Sequence, residues 1–149
     1  MSKKAFTLIE LLVVIAIIGL LAAMAMVSLG NARLKARDAR RVADVSQMQL
    51  AVKMYYVDNY GYPNAGNVWT TPAAQCLSND GWATACGAII YMGVAPTAPT
   101  PVETGCTAAD NSYSYSGTAT SYSLKYCLGS AIGGLGAGIH TAGPTGLTY

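Results

Sequence analysis

Residues 6–29 read FTLIELLVVIAIIGLLAAMAMVSL, and Glu10 is the one charged side chain among them. From Leu11 to Ala32 no residue ionises. At a rise of about 1.5 Å per residue, a helix of this length crosses the roughly 30 Å hydrocarbon core of a bilayer. Glu10 is the anomaly. A carboxylate within hydrocarbon is costly, so an acid in such a place marks a function and requires a partner.

Outward from this stretch, residues 31–58 keep the helical period but change character. Leu34, Val42, Val45, Met48, Val52 and Tyr55 form an apolar stripe with one gap at Asp38. Arg37, Arg40, Arg41 and Asp44 project mainly elsewhere, which predicts a solvated or subunit-facing basic surface. Arg40 and Asp44 stand at i,i+4, the spacing of a helical ion pair. No proline interrupts Phe6 to Asp58, which predicts one helix on the order of 80 Å long. Gly19 and Ala23 form a small-xxx-small pair that permits close helix approach. The helix stops at Asp58-Asn59-Tyr60-Gly61-Tyr62-Pro63, where Asn, Gly and Pro supply the signals.

All six prolines and most of the 16 glycines lie beyond that point, a shift from helix to loops and strands. Asn64 to Glu103 reads as a long connecting region. It contains a turn at Asp80-Gly81, a candidate strand at Ala88 to Val94 and an extended bridge at Pro96 to Pro101. Ser112 to Ser116 and Ser121 to Leu128 alternate tyrosine or leucine with small polar residues, predicting two antiparallel strands joined through Gly117-Thr118. The glycine-rich tail, residues 129–149, holds a final strand around Gly138 to Ala142.

The four cysteines are Cys76, Cys86, Cys106 and Cys127, with no C-x-x-C pair, and His140 is the single histidine. Zinc ligation lacks its usual spacing. An even cysteine count beyond an export segment reads as two disulfides in an oxidising compartment, with free thiols the alternative. Three connectivities exist. Cys76–Cys86 with Cys106–Cys127 is the simplest to reconcile with one loop and one separate hairpin.

The first residues, MSKKA, followed by FTLIELLVVIAIIGLLAAMA, resemble the N-terminus of type IV pilins and of type II secretion pseudopilins. The resemblance lies in a short basic leader, Phe6 at the first mature position, Glu10 five residues in, and the unbroken apolar helix. The segment from Tyr55 to Pro63 also resembles the stretch just beyond the long helix in those families. The leader usually ends in Gly, where this chain has Ala5, the smallest substitute. The resemblance implies cleavage between Ala5 and Phe6 by a prepilin peptidase, N-methylation of Phe6, and assembly in which Glu10 neutralises the freed amine. It further implies partners: an inner-membrane assembly platform, the lipid bilayer before assembly, and other copies of the chain in a helical homopolymer. Loss of Lys3 and Lys4 would leave seven basic against seven acidic residues, so no general attraction to nucleic acid is expected.

The expected fold is therefore α+β and pilin-like, a long N-terminal helix packed on a small antiparallel sheet. Its segments are a leader (1–5), a transmembrane or filament-core half-helix (6–30), an amphipathic half-helix (31–58) and an exported β-rich head (59–149). The function expected is structural. The chain is a filament subunit, held first in the cytoplasmic membrane with its N-terminus inside and later displayed at the cell surface. A secretion pseudopilin and a membrane-tethered domain that never polymerises are the rivals. Basic residues 33–41 argue for the reverse orientation, against the export implied by the cysteines and strands. A conventional signal peptide cut near Ala23-Met24-Ala25 competes too, but the apolar run exceeds the usual length and leaves Glu10 unexplained. No enzyme and no cofactor is expected. Gly134 to Gly138 lacks the third glycine of a phosphate loop, His140 has no catalytic partners, and Asp110-Asn111 is at most part of a calcium loop or simply a turn.

Overall fold

The computed structural model describes residues 6–70 and 75–148. The fold is α+β, with one long helix, α1 (Leu8–Asn59), followed by eight strands. The chain divides into two compact units, residues 1–33 and residues 34–149. The outer half of α1 thus belongs to the same unit as the strands.

In the first unit the described side chains of the apolar run, from Phe6 to Leu29, are exposed. This part of α1 is long and apolar enough to cross a membrane, with a mean hydropathy of 2.8 in its most apolar window. The leader, Met1 to Ala5, lies outside the described residues. The helix begins two residues later than the apolar pattern suggests because Thr7 caps it.

The second unit is built on two antiparallel sheets. The larger has the order β1 (Ala65–Thr70), β5 (Ser114–Gly117), β6 (Tyr122–Leu128), β7 (Gly138–Gly143), β8 (Gly146–Thr148). The smaller has β2 (Cys76–Ser78) between β3 (Gly81–Ala83) and β4 (Ile90–Met92). The hairpin expected from the tyrosine alternation is β5–β6, with Tyr115 opposite Leu124. The expected connecting region holds four strands, one of them within the candidate strand Ala88 to Val94. Residues 64–103 contain β1 to β4, whose short strands give little periodic signal. The Pro96–Pro101 bridge ends in a cis Thr100–Pro101 bond.

Val45, Met48 and Val52 of α1 are fully buried against Tyr113, Tyr115, Leu124, Tyr126 and Leu128. Each such aliphatic side chain contributes about 1.5–3 kcal/mol on burial. Tyr122, Leu124 and Tyr126 alternate inward along β6 while Ser123 faces out. The helix ends on Tyr60, a non-glycine residue at φ 55°, whose N–H donates to the Tyr56 carbonyl. Tyr91 of β4 closes this end, with its ring against Tyr55 and its hydroxyl donating to Asp58. Disulfides join Cys76 to Cys86 and Cys106 to Cys127.

Candidate functional site

Two places on α1 carry the chemistry, its start and the turn where the head is fastened. At the start, Thr7 and Glu10 form a reciprocal cap. The Thr7 N–H and hydroxyl donate to one Glu10 carboxylate oxygen at 2.9 and 2.7 Å, and the Glu10 N–H donates to Thr7 Oγ1 at 3.4 Å. Two of the orphan donors that every helix start leaves are thereby satisfied. The spacing T-x-x-E in FTLIE signals this capping box, a second role for the acid that the apolar pattern alone conceals. Phe6 is exposed just ahead of the cap. Ala5, the other side of the expected cleavage site, lies outside the described residues.

The fastening point corrects the expectation of a solvated basic surface. Arg41 is 1% exposed and Asp38 is wholly buried. Asp38 accepts from the Gly129 N–H at 3.0 Å and from the Ser130 N–H and hydroxyl at 2.8 and 2.7 Å. Arg41 donates to Asp38, to the Pro99 carbonyl and to Asn111 Oδ1 at 3.0, 2.9 and 2.7 Å, and it also meets Glu103. Arg37 engages Glu103 with two donors. Hydrogen bonding from Arg37, aided by Arg41, holds the Glu103 carboxyl below its ordinary range against the opposing effect of burial. Asp38 is the gap in the apolar stripe, so its position on the buried face was visible in the period while its partners, some 91 residues away, were not.

Around this cluster the chain approaches itself closely. A Cβ on Gly129 would meet the Glu103 Cβ at 2.5 Å, so only glycine fits between the loops. The Cys106–Cys127 bond ties those same two loops together. One turn further along α1, Asp44 accepts from the Tyr113 hydroxyl at 2.8 Å. Burial, and then this bond, raise the Tyr113 phenol well above its usual value. Arg40 reaches Asp44 only at 3.9 Å and stays 64% exposed.

The remaining candidates take structural places. Asp110 accepts from Lys125 at 2.8 Å and from Thr107 at 2.6 Å, while Asn111 serves Arg41. Both members of the possible calcium pair are thus engaged within the protein. Among the described residues no group of three or more acidic, histidine or cysteine side chains converges as a metal site. His140 lies on β7, buried beside Tyr126, with Nε2 bonded to the Gly136 carbonyl at 2.8 Å. Gly133 and Gly134 adopt positive φ in the preceding turn, as does Gly138 at the start of β7.

Comparison with known proteins places the start of α1 in a recognised class. Residues 1–26 match the family described as the prokaryotic N-terminal methylation motif. Over 62 residues, 42% of this chain, it is 39% identical to the type II secretion system core protein G of Escherichia coli, covering 43% of that protein. It is 46% identical over 61 residues to the type IV wide pilus major component PilA4 of Thermus thermophilus, covering 41% of this chain and 47% of the relative. It is 36% identical over 69 residues to the type IV major fimbrial protein FimA of Dichelobacter nodosus, covering 46% and 44%. The chain therefore spans less than half the length of these relatives. No solved structure matches it. The chain carries the methylation motif, and its homologues are type IV pilins and type II secretion proteins G.

Proposed function

We propose that the chain is a structural, non-catalytic subunit of a type IV pilus-like filament. It is made as a membrane-embedded precursor, cut between Ala5 and Phe6 by a prepilin peptidase and methylated on Phe6. An inner-membrane platform then assembles it through its N-terminal helix into an extracellular fibre. The observation that carries this reading is the division of α1. The described side chains of its first half leave an apolar surface exposed, with Glu10 its single charge, whereas its second half is fastened into a folded head. Apolar surface of that extent requires cover, by lipid before assembly and by neighbouring helices afterwards.

A pseudopilin of a type II secretion system is the second reading, supported by the likeness to core protein G. Intact mass of the membrane-extracted chain tests the processing step, with a mature form beginning at a methylated Phe6 expected. A chain beginning after Ala25, or one retaining Met1 to Ala5, overturns it. Electron microscopy of cells with and without the chain separates a surface fibre from a secretion apparatus or an unpolymerised tether.

A further inference from the structure

The charges of the mature chain balance in number but not in place. Arg37 and Arg41 are neutralised by Asp38 and Glu103, and Lys125 by Asp110. Among the described residues Lys35 is in no ion pair and Arg40 has only the long one to Asp44 at 3.9 Å, both on α1 where the head begins. Toward the other end of the unit Asp58 and Asp80, and Lys53 on α1, are likewise in no ion pair among the described residues. Arg40 and Asp58 are 18 residues apart on α1, about 27 Å at helical rise. Asp80 rides on the small sheet that Tyr91 fastens to that same end of the helix.

The basic end holds a groove of about 530 Å³ between α1 and residues 97–100. Arg37 and Arg40 line it, but Arg37 is committed to Glu103. Arg40 keeps its donors available, since Asp44 lies beyond hydrogen-bond distance and is already taken by Tyr113. Asp80 is exposed at the β2–β3 turn, and its carboxylate receives one bond, from the Asn79 amide at 3.1 Å. Gly81, at φ 89°, completes the turn that presents it.

We propose that Asp80 of one copy seats in the Arg40 groove of the next. The occupant is a second copy because the chain, neutral in its mature form, itself displays the complementary carboxylate, at the β2–β3 turn and outside the residues that line the groove. A contact between unlike faces is heterologous and leaves each end free to repeat, so it extends an open filament instead of closing a dimer. An exposed pair of this kind sets orientation and excludes wrong neighbours more than it adds affinity. The contact rests on the filament reading above and names the head surfaces that reading would bring together.

The test is charge exchange in the full chain, expressed in cells lacking their own copy, with sheared polymer collected by centrifugation and quantified. R40E and D80R each place like charges opposite one another and are expected to lower polymer yield by about tenfold or more. The exchanged double variant, R40E with D80R, is expected to return it to within about twofold of the unaltered chain. The D80R arm reads the contact without touching Asp44 or the packing of α1. Normal polymer from both single variants, or no recovery in the double variant, overturns the contact and leaves the filament reading standing. Absence of polymer from the unaltered chain overturns the filament reading and the contact with it.

Discussion

Asp38 and Arg41 stand one helical turn apart on α1 and meet at 3.0 Å with both side chains buried. Around them converge the Pro99 carbonyl, Glu103, Asn111, Gly129 and Ser130. A buried pair is stabilising only while all its partners remain, because a charge left alone in the interior is heavily penalised. The cluster therefore acts as a clasp that admits one placement of the head on the helix.

Removing either member should cost unequally. Asp38→Ala leaves the buried Arg41 to share Glu103 with Arg37 and orphans the Gly129 and Ser130 N–H groups, so a loss of about 3–5 kcal/mol is expected. Arg41→Met leaves Asp38 with its backbone donors and Glu103 with Arg37, so the loss should be smaller. Denaturant unfolding of the full chain in detergent, followed by tyrosine fluorescence, checks the order. Equal or reversed losses would contradict the clasp.

The same cluster makes stability depend on acid. Glu103 titrates below its unfolded value, chiefly because Arg37 hydrogen-bonds its carboxylate. A depressed carboxylate contributes stability above the unfolded value, near pH 4.3, and loses it as pH falls through the lower folded value. Glu103→Gln should therefore be less stable than the unaltered chain at neutral pH. The two stability curves should draw together as pH falls below the unfolded value and through the lower folded one, as measured by thermal unfolding across pH 2–8.

The capping box predicts a local effect. Thr7→Val removes the hydroxyl and should weaken the first turn by about 1 kcal/mol, roughly fivefold in opening. Amide exchange at residues 8–11 in micelles should accelerate accordingly while residues 45–52 are unchanged. Thr7→Ser should preserve protection.

How far the sequence reaches is clearest by comparing two stretches. The long helix and the Tyr113 to Leu128 hairpin were legible because their periods run for many residues and local patterning suffices. Strand β4 falls within the expected Ala88 to Val94, and the β2–β3 turn falls at the expected Asp80-Gly81. Strands β1 to β3 were not legible, β1 because it pairs with the distant β5, and β2 and β3 because each is only three residues long. Asp38 shows the boundary between these cases. Its place on the inner face is set by spacing alone. That a carboxylate is tolerated there depends on Gly129 and Ser130, whose N–H groups arrive only through the folded loops. Likewise Thr7 and Glu10 are visible as a cap at T-x-x-E once the helix start is placed, whereas the apolar run alone suggests an earlier start.

Glu10 carries the last prediction. In the proposed assembly, cleavage frees the Phe6 amine where the helix dipole already adds partial positive charge, and a carboxylate in the first turn suits both. Thr7 uses one oxygen of Glu10, and an ionised carboxylate has about four acceptor sites over two oxygens. The cap therefore leaves capacity for an amine. The pair within one chain is short-range, at i,i+4. An incoming subunit whose amine or carboxylate stayed unpaired in an apolar filament core would face a penalty of several kcal/mol. A bond between neighbouring copies removes that penalty only at one axial stagger, which makes Glu10 a determinant of register as well as of docking. Glu10→Gln keeps the shape and an acceptor for Thr7 but discards the charge. It should leave membrane insertion intact and cleavage largely so, while sharply reducing incorporation into filaments, read by pelleting and by intact mass. Normal filaments built solely from this variant would remove Glu10 from assembly. Failure of insertion would place its role earlier, in the membrane itself.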